Sequence, residues 1–175
     1  ILDKNKTNSN INELLKSFPG QLLSFTGSPV IGWDLKKQSG KKKVVLELGG
    51  NAGVIISKNV EIEPIIDKCL LGAFAYSWQI CIHAQRFFVH EKKYPEFLSL
   101  LKKKTSKLKA GDPENPDTVI SNMIDDENAE RVEKWVSEAI SAGAELVTGG
   151  QRKGSFYDAT ILTKTTTQMK IHAEE

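Results

Sequence analysis

Long apolar runs are missing from this chain of 175 residues. No stretch approaches the roughly 20 apolar residues that a helix needs to cross a bilayer, so a helical membrane span is not expected. The opening Ile1-Leu2-Asp3-Lys4-Asn5-Lys6 lacks the apolar centre of a secretory signal. It also lacks an initiator Met, which suggests a piece of a longer protein, although processing gives the same result. Cysteine is scarce: there are 2, Cys69 and Cys81, too few for a disulfide framework. A reduced, cytoplasmic setting is the expectation. Charge of one sign is in short supply as well. The formal net charge of +2 does not argue for a polyanionic partner such as nucleic acid. The triplets Lys41-Lys42-Lys43 and Lys102-Lys103-Lys104 then read as solvated faces or helix-end charges. His83, His90 and His172 are scattered, with no ligand spacing to one another or to the cysteines, so no metal site is expected.

What is present suits a folded α/β chain. Hydrophobic residues make up 39%, enough for a core, and charged residues 26%, enough for a wet surface. A polar, Asn-rich lead-in precedes a short amphipathic helix with Ile11, Leu14, Leu15 and Phe18 on one side, stopped by Pro19-Gly20. Gln21 to Phe25 reads as a buried strand. Ser28 is a good N-cap and Pro29 suits the first helical position, so a helix is expected from Pro29 to about Gln38, with Gly40 at C′. Strands are expected over Lys43–Leu48 and Gly53–Ser57. Ile62, Ile65, Ile66, Cys69, Leu70, Ala73 and Phe74 then fall at helical spacing between Val60 and Tyr76. Arg86–His90 reads as a strand and Tyr94–Leu108 as an amphipathic helix with its lysines outward. After the loop Gly111–Pro116, Asp125 or Asp126 caps a helix to about Ala142, signalled at its end by Gly143. Glu145–Thr148 and Ala159–Leu162 are the last strands expected. Strands alternating with helices of this length predict a parallel sheet covered on both faces.

Three places could carry chemistry. Ser24 to Gly32 sets a glycine-bearing turn between a strand and a helix N-terminus, where exposed N–H groups and the dipole attract phosphate. The same pattern also serves as an ordinary cap. Glu47 closes an apolar strand beside Gly49-Gly50, where desolvation would raise its pKa towards that of a base. The alternative is a surface glutamate on an edge strand. Cys81 lies in a connection past a long helix, where a thiolate is accessible and nucleophilic. Cys69, on the apolar face of the preceding helix, reads as a small core residue.

Taken in order, these segments resemble the aldehyde dehydrogenase superfamily. Phe25-Thr26-Gly27-Ser28, with Gly32 following, is similar to the family's cofactor-binding turn and helix. Leu46-Glu47-Leu48-Gly49-Gly50-Asn51 resembles the strand bearing the general base. Gln79-Ile80-Cys81, running on to Gln85-Arg86, resembles the nucleophile segment, and Gly111-Asp112-Pro113 a later loop. Ala173-Glu174-Glu175 resembles the start of a motif that continues in the family as Phe-Gly-Pro. The resemblance covers residues 22 to 175. It implies a parallel-sheet α/β fold truncated at both ends: a lead-in over 1–20, the C-terminal part of the NAD(P)-binding domain over 21–47, and the first part of the catalytic domain over 48–175.

It also implies function. Cys81 would be the nucleophile and Glu47 the base in oxidising a small aldehyde to a carboxylic acid with NAD or NADP. Gly27, Ser28, Gly32, Leu48 and Glu175 would contact the cofactor, with Glu175 on a ribose. The intact enzyme would be a homo-oligomer, while the 175 residues alone would be inactive. A non-catalytic homologue or assembly module is the competing class. Two departures from the family pattern bear on this. Trp78 stands where glycine is usual and would fill space near the substrate or restrict the loop backbone. Val119-Ile120-Ser121-Asn122 replaces the more common Gly-Pro version of that stretch.

Overall fold

A computed structural model describes residues 13, 17, 20 and 22–174. The amphipathic helix expected around Ile11–Phe18 lies outside the described residues except at Glu13 and Ser17, which are helical. The chain divides into two compact units, Ile1–Gly49 and Gly50–Glu175.

The first unit is a strand–helix–strand repeat. Strand β1 (Leu22–Gly27) and strand β2 (Lys43–Leu48) pair in parallel from Leu22↔Lys43 to Gly27↔Leu48, with helix α1 (Pro29–Gln38) as the crossover. Ser28 and Pro29 start α1, and Gly40, at φ +60, follows its end; an L side chain rarely takes that left-handed conformation. α1 buries Gly32 and Leu35.

The second unit repeats the theme and then changes it. Strand β3 (Ala52–Ile56) pairs in parallel with strand β4 (Ala84–Val89). Helix α2 (Ile66–Phe74) and a 3-10 turn, Ala75–Trp78, connect them. α2 starts later than the apolar spacing predicts, because turns over residues 62–65 come first, with Ile65 and Ile66 both bonding back to the Ile62 carbonyl at 3.0 Å. Helix α3 (Tyr94–Thr105) follows β4 and packs on α2. Their shared core holds Ile56, Ile62, Ile66, Cys69, Phe97 and Leu101. Helix α4 (Asp126–Ser141) is capped by Asp125, whose carboxylate accepts from the Asn128 N–H at 2.9 Å. Helix α5 (Lys170–Ala173) closes the described chain.

The last strands depart from an all-parallel sheet. Strand β5 (Glu145–Thr148) pairs antiparallel with strand β8 (Ile161–Thr163), and strands β6 (Arg152–Lys153) and β7 (Phe156–Tyr157) form a hairpin that the sequence reading missed. β8 starts two residues later than expected. Thr160 is held out of the ladder: its hydroxyl accepts from the Gly150 N–H at 2.9 Å and donates to the Asp158 carbonyl at 2.8 Å.

Candidate active site

The C-terminal end of the β1–β2 ladder gathers the first group of candidates. Thr26 lies opposite Glu47 and Gly27 opposite Leu48, so the turn, the start of α1 and the carboxylate share one end of the first unit. That is the end at which parallel α/β sheets bind ligands. The Ser28 hydroxyl accepts from the Ile31 N–H at 3.4 Å, and no acidic side chain occupies the first turn of α1. The positive end of the helix dipole therefore meets no opposing carboxylate there. A Cβ on Gly32 would overlap Leu48 Cδ2 and stand 3.4 Å from the Phe25 ring. The absent side chain is thus what lets α1 lie close on both strands. Glu47 alternates outward with Lys43 and Val45 and is exposed. The desolvation expected at this strand end is not present within the unit, because the period of two sends residue 47 to the wet face.

The second unit presents the cysteine. Cys81 is exposed on the connection between the 3-10 turn and β4, whereas Cys69 is buried on α2. Burial pushes the Cys69 thiol up, by desolvating its thiolate. Ahead of Cys81 the backbone is unusual. Tyr76, Ser77 and Trp78 hold φ of 59°, 52° and 52°, three left-handed residues in a row with no glycine among them. Such conformations cost about 1–3 kcal/mol each and persist only where surroundings enforce them.

Here the surroundings are specific. Ser77 is 3% exposed, and its hydroxyl accepts from the Ser121 N–H at 2.7 Å and donates to the Ser121 carbonyl at 3.2 Å. The Trp78 ring stands edge-on to Phe74 at 6.3 Å and to Tyr157 at 6.5 Å. Gln79 Oε1 accepts from the Ile124 N–H at 2.9 Å. The fixed path continues beyond the turn: the His83 N–H donates to the Ile80 carbonyl at 3.2 Å. A Cβ on Gly50 would overlap the Cys81 carbonyl oxygen, so the missing side chain at Gly50 lets the Cys81 loop approach it.

Asn51, Gln85 and Arg86, present in the motifs but given no role there, form a brace beside this loop. Arg86 Nη2 donates to the Asn51 carbonyl at 2.6 Å, and Asn51 Nδ2 to the His172 carbonyl at 2.8 Å. Gln85 Nε2 donates to the carbonyls of Ile171 and Glu174, at 3.1 and 2.7 Å. Glu175 itself lies outside the described residues. Among the described residues no group of three or more His, Cys, Asp or Glu is placed to hold a metal ion, and no helix is long and apolar enough to cross a membrane.

The aldehyde dehydrogenase family model matches residues 6–175. The chain belongs to this family. Among curated aldehyde dehydrogenases it is 40% identical over 162 residues to 3-sulfolactaldehyde dehydrogenase of Priestia aryabhattai, covering 93% of this chain and 34% of the relative. It is 36% identical over 169 residues to succinate-semialdehyde dehydrogenase [NADP(+)] GabD of Escherichia coli (strain K12), covering 94% and 35%. A crystal structure of aldehyde dehydrogenase 21 from Physcomitrella patens, in complex with the reaction product succinate, superposes with a TM-score of 0.91 at 38% identity, over 99% of this chain and 36% of that one. The α/β fold is therefore that of aldehyde dehydrogenases. The chain spans about a third of the length of the curated relatives it matches.

Against the family pattern, Trp78 sets its indole edge-on between Phe74 and Tyr157. It joins the cluster of Met123, Ala129, Val136 and Tyr157 to that of Ala73, Phe74 and Ile120. The other departure, at Ser121-Asn122, lies next to it: Ser121 is the partner of Ser77. No sequence signal flagged Ser77, because a left-handed serine looks like any other serine until its backbone is seen.

Proposed function

We propose that the chain carries the nucleophile and the base of an NAD- or NADP-dependent oxidation of a small aldehyde to a carboxylic acid. Residues 21–47 would be the tail of the cofactor domain and residues 48–175 the start of the catalytic domain. The observation that carries the reading is the contrast between the two thiols: Cys81 is exposed on a braced, left-handed loop while Cys69 is buried. The start of α1, free of acidic side chains in its first turn, fits a pyrophosphate, and Gly27 and Ser28 would stand nearest to it. Gly32 and Leu48 would serve by packing the helix onto the strands, and Glu175 by bonding a ribose.

In this mechanism the Cys81 thiolate attacks the aldehyde carbon, forming a C–S bond and placing negative charge on the former carbonyl oxygen. The Cys81 backbone N–H would donate to that oxygen, an interaction often worth roughly 3 kcal/mol. A bound nicotinamide would supply the acceptor for the hydride that leaves this carbon. Cys81 then holds the acyl group as a thioester. Glu47 takes a proton from water, whose oxygen adds to the thioester carbon. The C–S bond breaks, the acid departs, and Cys81 is a thiolate again.

Both cysteines are free, consistent with a reduced, cytoplasmic setting, and the reading includes a homo-oligomer for the whole enzyme. The relatives' names, covering sulfolactaldehyde, lactaldehyde and succinate semialdehyde, support a small aldehyde as substrate. Labelling with iodoacetamide, followed peptide by peptide, tests the reading. Cys81 is expected to react first and Cys69 to lag behind it. Equal, slow labelling of both would favour a non-catalytic homologue.

A further inference from the structure

The nucleophile loop is fastened at three consecutive residues, and each grips a different neighbour. Ser77 holds both the N–H and the carbonyl of Ser121, Trp78 stands edge-on between Phe74 and Tyr157, and Gln79 takes the Ile124 N–H. Of the three, Ser77 carries the most constraint per atom. One hydroxyl donates and accepts, both to the same residue of a segment far away in the chain, from inside the core. A left-handed backbone is costly for a serine, so this turn persists because something holds it. The backbone at residues 76–78 sets the direction in which the chain leaves α2. The Gln79 N–H bonds to the Tyr76 carbonyl at 3.2 Å, carrying that direction into the residues before Cys81.

We propose that Ser77 is a positioning residue for the nucleophile: its buried hydroxyl locks the left-handed Tyr76–Trp78 turn onto Ser121 and so fixes where the Cys81 thiol is presented. The proposal rests on the reading of Cys81 as the nucleophile. Ser77 does not touch substrate; it acts through the loop.

The pairing also explains two departures from the family pattern together. Trp78 forgoes the ease of glycine in a left-handed position, and Ser121 replaces one residue of the Gly-Pro stretch. They meet at either side of Ser77. The hydroxyl bonds and the indole packing together supply the hold that a glycine there would not need.

The test uses the whole 175-residue chain and the variants Ser77→Ala and Ser77→Gly. Alanine removes the hydroxyl and keeps the backbone strain; glycine removes both. The pH profile of iodoacetamide alkylation is measured at Cys81, with Cys69 as the internal gauge of general opening. Hydrogen exchange at the Ser121 amide reports the lost bond directly. Both variants are expected to alter the Cys81 rate by about threefold or more at a fixed pH and to displace its profile, with Cys69 still protected. Both should also speed exchange at Ser121. Wild-type behaviour in Ser77→Gly would show that the backbone alone matters and would overturn the proposal. So would labelling of both cysteines rising together in both variants, the sign of a merely structural role. If Cys81 in the unaltered chain labels no faster than Cys69, it is the reading of the nucleophile that fails, and the two failures are told apart.

Discussion

A glycine and a carbonyl oxygen decide how near the start of the second unit can come to the loop bearing Cys81. Gly50 has room for no Cβ, because the Cys81 carbonyl occupies that space. The obstructing atom is backbone, not the tip of a flexible side chain, so relief requires moving the loop. Gly50→Ala is therefore expected to destabilise the second unit by about 1–3 kcal/mol, the usual penalty for overpacking, and to change the Cys81 alkylation rate. A urea midpoint and a labelling curve read both. An unchanged midpoint with unchanged labelling would mean that the loop has slack the structure does not show. Cys69 behaves in the opposite way. Its thiol is pushed up by burial, so its neutral form is favoured in the fold. The associated stability is present below the ordinary thiol pKa and is lost as pH rises through the raised value.

Elements were legible in proportion to how local their causes are. Ser28-Pro29 and Asp125 start α1 and α4 through contacts within three residues, and these starts were readable because capping is local chemistry. Asp125→Ala is expected to cost about 1 kcal/mol, read as a lower midpoint of thermal or urea unfolding. An unchanged midpoint would remove the cap from the account. The buried face of α2 was equally plain, with Ile66, Cys69, Ala73 and Phe74 all inside. The β6–β7 hairpin was missed because strands of two residues carry no period to recognise. The antiparallel pairing of β5 and β8 was missed because pairing sense belongs to partners distant in sequence, and neither strand is long enough to advertise it. The left-handed turn before Cys81 was illegible for another reason. Without glycine, nothing in Tyr76-Ser77-Trp78 signals positive φ, and the contacts made there by Ser121 and Tyr157 come from far along the chain. The nucleophile and base were named from motif resemblance; periodicity alone left Glu47 an exposed strand residue, and exposed is how it is found in its unit.

At the scale of the whole molecule, the first unit shows a single strand–helix–strand repeat among the described residues, while doubly wound dinucleotide folds are built from two halves of three strands and two helices each. Hydride transfer demands alignment that a displacement of about 1 Å can slow a hundredfold. Leu22 and Val45 on the strands, and Val30 and Trp33 on the helix, are also exposed in this unit. The 175 residues alone are accordingly expected to give no steady reduction of NAD or NADP with any small aldehyde. Placed in an active relative in exchange for the matching third of its chain, the same residues are expected to restore aldehyde-dependent reduction. Cys81→Ser in that hybrid should then remove it by roughly a thousandfold or more, as the loss of a covalent nucleophile does. Cys69→Ser should leave most of it, since that sulfur sits in the core of α2 and α3. Steady turnover by the isolated chain would show that one strand–helix–strand repeat suffices to align a nicotinamide. A hybrid that works equally well without the Cys81 sulfur would take the thioester out of the mechanism and leave Glu47 without a bond to hydrolyse.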